Sequence, residues 1–113
     1  MTPEAIKAML NQAMADGKYW VIGRACWRLW QRQTNSEQQA QATGQDNGQG
    51  FNKPDARWCS RMGEWYNKGL TQYHLKPNDP KIFSEKQAKL TLPRILKYAK
   101  QLADIHNSTH KAA

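Results

Sequence analysis

YWVIGRACWRLWQRQ, residues 19–33, decides how this chain folds. Wound at about 100° per residue, it presents two faces. Tyr19, Ile22, Cys26, Leu29 and Trp30 fall on one side and form a core stripe. Trp20, Trp27, Gln31, Arg24, Arg28 and Arg32 fall on the other. Two indoles and three guanidiniums share that second face with no acid among them. Flat aromatic surface interleaved with planar cations suits stacked bases and phosphates, or a desolvated protein interface. The alternative is a central helix whose indoles are covered by its neighbours.

Outward from this segment the pattern is helical. Before it, Thr2 caps a first helix, Pro3 occupies its first position and Glu4 complements its dipole. Ile6, Met9, Leu10, Ala13 and Met14 recur at helical spacing, and Gly17 ends the helix in a left-handed cap. After it, Thr34-Asn35-Ser36-Glu37 reads either as a capping box for a short helix or as part of one longer helix. A Gly/Asn-rich loop follows over residues 43–54.

A third helix is expected from Pro54 to Lys68, with Trp58, Cys59, Met62, Trp65 and Tyr66 inward. Arg57, Arg61, Glu64 and Lys68 face out, and Gly69 terminates it. Residues 70–82 form a connector with Pro77 and Pro80. Ser84 and Gln87 form a capping box, and Pro93 kinks or stops the helix that this box begins. A last apolar set runs from Ile95 to Ile105, with Lys97 and Lys100 outside it. No period-2 strand of useful length occurs. The fold class expected is all-α: one small domain of four or five helices over residues 1–107, with a Gly/Asn-rich central loop and a disordered tail over 108–113.

Charge restricts the partners. Among 113 residues, 17 are basic and 9 acidic, for a net charge of +8. Residues 1–50 hold five basic and four acidic side chains; residues 51–113 hold twelve and five. That surplus favours anionic partners such as nucleic acid or a nucleoprotein complex. The N-terminus lacks a signal-peptide pattern and no apolar run is long enough to span a bilayer. A cytoplasmic protein with two buried, reduced thiols, Cys26 and Cys59, is expected, with no membrane partner.

Catalytic chemistry is not indicated. His74, His106 and His110 have no cysteine or carboxylate at ligand spacing, so neither a metal nor another cofactor is expected. The acids are scattered, and Ser84 is explained as a cap. The loop Asp46-Asn47-Gly48-Gln49-Gly50-Phe51-Asn52 lacks the Gly-Lys-Ser/Thr ending of a phosphate loop and the twelfth-position Glu of a calcium loop. It reads as a compact loop pinned by Phe51, with Asp55 at the start of the next helix.

Arg32-Gln33-Thr34 with Glu37, Asn47-Gly48-x-Gly50-Phe51-Asn52-x-x-Asp55-Ala56, Ser84-x-x-Gln87 and Lys97-Tyr98-x-x-Gln101-Leu102 together resemble a family of small uncharacterised proteins of phages and plasmids. The resemblance spans roughly residues 28–102 and implies a mobile element in a bacterial cell. A similar Gly-Phe-Asn-x-x-Asp module accompanies helicase-like proteins of such elements. The resemblance carries no role to the tryptophans.

The residues point to a small basic nucleic-acid-binding protein acting on single strands or a nucleoprotein. Its contact set is Trp20, Arg24, Trp27, Arg28, Gln31 and Arg32, extended by Arg57, Arg61, Lys97 and Lys100. The rival expectation is a protein-binding inhibitor of a host defence, in the manner of an anti-CRISPR, or of a replication complex.

Overall fold

A computed structural model describes residues 1–36 and 53–110, with side chains described for 1–32 and 55–107. Residues 43–52 of the expected central loop lie outside the described residues, as do Glu37 and residues 111–113, while Lys53 and Pro54 already belong to a helix. The elements are α1 (Pro3–Ala15), α2 (Tyr19–Ser36), α3 (Lys53–Thr71), α4 (Glu85–Ile95), a 3-10 turn (Leu96–Tyr98) and α5 (Ala99–His110). The protein is all-α, as expected. α5 reaches three residues into the segment expected as a tail.

Local signals fix the first helix. Thr2 accepts the Ala5 N–H through its hydroxyl at 3.1 Å. At the other end Gly17 stands at φ 75°, its N–H bonds the Met14 carbonyl, and the Lys18 N–H reaches Ala13. That pair of bonds satisfies carbonyls the helix end leaves open. Three residues then turn the chain into α2. The Ser84 cap is equally local: its hydroxyl accepts the Gln87 N–H at 3.1 Å, and the Gln87 side chain accepts the Ser84 N–H at 2.9 Å.

α2 touches every other α-helix. Ile22, Cys26 and Leu29 are fully buried, with Tyr19 and Trp30 packed partly exposed beside them. α3 packs closely alongside, because no side chain at Gly63 holds the two backbones apart. A Cβ there would stand 2.5 Å from the Cβ of Trp30. The Cys26 thiol donates to the Cys59 carbonyl across the same seam at 3.1 Å.

Of the two readings of Thr34-Asn35-Ser36, one longer helix is realised: α2 runs through to Ser36. Other local expectations are corrected. Gly69 does not end α3, which continues to Thr71. Its missing side chain instead admits Ile82, 2.7 Å from where a Cβ would sit. The left-handed residue falls at His74, φ 52°, and Leu75 N–H returns to the Gly69 carbonyl at 2.9 Å. Pro93 does not stop α4 but lies inside it, exposed. Tightening to 3-10 geometry comes only after Ile95.

Trp65 also departs from expectation. Helical spacing assigns it to the core stripe of α3, yet it is 50% exposed. It lies at the edge of the stripe centred on Met62, Tyr66 and Cys59, where no neighbouring helix covers it. Met9, expected inward on α1, is likewise exposed.

Candidate nucleic-acid interface

The second face of α2 opens between α1 and α5 on one side and α3 on the other. Arg24 is exposed at its centre, flanked by half-buried Trp20, Trp27, Arg28 and Gln31. Neither indole is sealed inside. Trp27 leans toward α3, where its N–H donates to the Asn67 side-chain carbonyl at 3.2 Å. Its ring meets Tyr66 at 5.6 Å between centroids. The guanidinium of Arg28 lies 5.4 Å from the centre of the Trp27 ring, a cation–π distance. This contact orients Arg28 without neutralising it.

Trp20 leans the other way. With Arg24 and Arg28 it lines a groove of about 560 Å³ between α1, α2 and α5. Ile6, Val21 and Leu102 contribute to its apolar lining, and Asp16 and His106 also reach it. Arg28 thus borders both the groove and the Trp27 ring.

Among the described residues no carboxylate pairs with Arg24, Arg28, Arg57 or Arg61. The field reaches inward: burial pushes the Tyr66 phenol up, and the charges of Arg24 and Arg28 pull partly against that rise. Tyr66 in turn donates to the Pro77 carbonyl at 2.9 Å, anchoring the connector after α3.

The remaining candidates separate into two groups. Arg57 and Arg61 are exposed on the outer face of α3, and Lys100 is exposed on α5. Arg32 and Lys97 have structural partners. Arg32 donates to the Gln101 carbonyl at 3.4 Å, a long bond joining α2 to α5. Lys97 pairs with the buried carboxylate of Asp55 at 2.8 Å. Those two side chains hold the helices together where α2 ends and α3 and α5 begin. Trp58 is similarly occupied: its N–H donates to Thr91 at 3.0 Å, and Arg94 lies over its ring at 5.4 Å.

Sequence reasoning missed Trp65. It follows Arg61 by four residues and precedes Lys68 by three, so two turns of exposed helix carry an open indole between two cations. Its angle, about 60° off Met62 toward the basic side, was the available signal.

Among the described residues no cluster of three or more His, Cys, Asp or Glu could hold a metal ion, and no helix is long and apolar enough to cross a membrane. No protein-family model, curated protein or solved structure matches the chain.

Proposed function

We propose that this is a small nucleic-acid-binding protein that grips a single strand, free or within a nucleoprotein, along the open face of α2. The setting is the bacterial cytoplasm in which the resembled phage and plasmid proteins would act. The observation that carries the reading is Arg24 and Arg28, without a carboxylate partner among the described residues, beside two partly buried indoles. Guanidiniums left without carboxylates remain available to phosphates. Indoles that keep part of a face open offer stacking surface to unpaired bases, which a duplex hides.

Arg57 and Arg61 extend the positive surface onto α3, and Lys100 adds to it on α5. Trp65 joins the contact set. Arg32 and Lys97 are assigned to holding the helices in place. The overall charge of +8 adds long-range attraction that speeds encounter at low salt.

The test is fluorescence anisotropy with a labelled single-stranded oligonucleotide at two salt concentrations. Binding that weakens as salt rises, and weakens again in the Arg24→Ala/Arg28→Ala protein, supports the reading. An intact fold with no oligonucleotide affinity at low salt contradicts it.

A further inference from the structure

We propose that the groove between α1, α2 and α5 is a base-binding pocket, receiving one unstacked base of a strand whose phosphates lie on Arg24 and Arg28. The inference rests on the nucleic-acid reading and adds to it where a base goes. A volume of about 560 Å³ lies within the range of small-molecule sites and accommodates a nucleobase with room for its sugar.

The lining fits a flat, mostly apolar ring with a charged attachment. Ile6, Val21 and Leu102 offer apolar contact, and Trp20 supplies an aromatic wall. Polar and charged side chains, Gln12, Asp16, Lys18, Arg24, Arg28 and His106, share the lining and can fix a ligand's orientation. Asp16 accepts from the Gln12 amide at 2.9 Å and retains acceptor capacity for a base N–H such as the thymine imide. Arg24 and Arg28 stand on the α2 wall, where the same guanidiniums serve the groove and the open face.

Arg24 lies between Trp20 and Trp27 along α2, and Arg28 borders the groove while stacking over Trp27. A strand passing from Trp27 toward Trp20 thus crosses the Arg24 cation between two aromatic rings. Charge complementarity therefore selects a phosphate-bearing occupant, and the aromatic wall selects a base over an alkyl chain.

The experiment compares an oligothymidylate with an abasic strand of equal length on the full chain. It also follows the methyl resonances of Ile6, Val21 and Leu102 by NMR. The proposal expects the base-bearing strand to bind about tenfold more tightly, with those methyl signals shifting. Val21→Trp, which fills the groove, should shrink the difference to what stacking on Trp27 and Trp65 supplies and leave abasic-strand affinity unchanged. Should that variant misfold, thymidine monophosphate titrated into the unaltered protein must move the same methyl signals. Equal binding of the two strands with the groove signals unmoved overturns the pocket and leaves the phosphate-gripping face standing. Groove signals that respond to dodecanoate but not to either strand also overturn it. Failure of both strands to bind removes both readings.

Discussion

The hydroxyl of Tyr98 donates to the buried carboxylate of Asp55 at 2.7 Å, across 43 residues of chain. Lys97 reaches the same oxygen at 2.8 Å from the preceding position. Three side chains thereby bind the start of α3 to the junction of α4 and α5. Burial alone would raise the Asp55 carboxyl. The hydrogen bonds from Lys97 and Tyr98, with the charges of Lys97 and Arg94, outweigh it and hold the group below the usual aspartate range.

A depressed folded-state value means stability is fully present above the unfolded carboxyl value and is lost as pH falls through the folded one. Unfolding free energy should therefore drop below about pH 4, and Asp55→Asn should flatten that drop. Denaturant titrations between pH 7 and 3 measure it; equal acid sensitivity in both proteins would contradict the assignment. At neutral pH, Asp55→Ala should cost about 2 kcal/mol or more, chiefly from the stranded Tyr98 hydroxyl. The half-exposed Lys97 contributes little of this, since solvent screens its charge.

Gly63 to alanine should destabilise the fold even though the residue is helical. On an open helix face the change would gain about 1 kcal/mol. Here the new methyl would meet the Trp30 Cβ at 2.5 Å, and forced separation of packed helices costs about 1–3 kcal/mol. A lowered thermal midpoint is expected, and Trp30→Ala should not relieve it because the clash is with the Cβ. A raised midpoint would refute the close α2–α3 approach.

Cys26 and Cys59 are both fully buried. Burial first, then the bond to Cys59 and its nearby thiol, push the Cys26 thiol well above its usual range; a Gly63 backbone contact offsets this slightly. Alkylation should proceed only as fast as the protein unfolds. Labelling within seconds in native buffer would show that the seam opens locally.

These relationships divide by what the sequence could reveal. Thr2, Gly17 and the Ser84–Gln87 box act within a few residues of themselves, so their roles were legible. The core of α2 was legible too, because Ile22, Cys26 and Leu29 recur at helical spacing. Gly69 carries a stop signal that packing against Ile82 overrides, and nothing local announces Ile82. Lys97 reads as a surface cation because its carboxylate lies on another helix. The motif positions that suggest a relationship to mobile-element proteins include Arg32, Gln101, Asp55, Lys97 and Tyr98, and these meet as inter-helix contacts. Their spacing records the architecture and leaves the unpaired α2 face as a separate feature.

Trp65→Ala should leave stability within about 0.5 kcal/mol, as for a surface position. It should weaken single-strand binding severalfold, since a stacked indole is worth roughly 1–3 kcal/mol per base. Anisotropy titration and thermal melts on the same preparation check both halves. A large fall in the melting midpoint would return Trp65 to a structural role.

The central claim is that Arg24 and Arg28 hold phosphates. Its most direct measurement is the slope of log affinity against log salt for a single-stranded oligonucleotide, wild type against Arg24→Ala/Arg28→Ala. Each phosphate neutralised on a single strand contributes about 0.7 to that slope, so losing two should reduce it by roughly 1.4. An unchanged slope in a folded double variant would contradict the account.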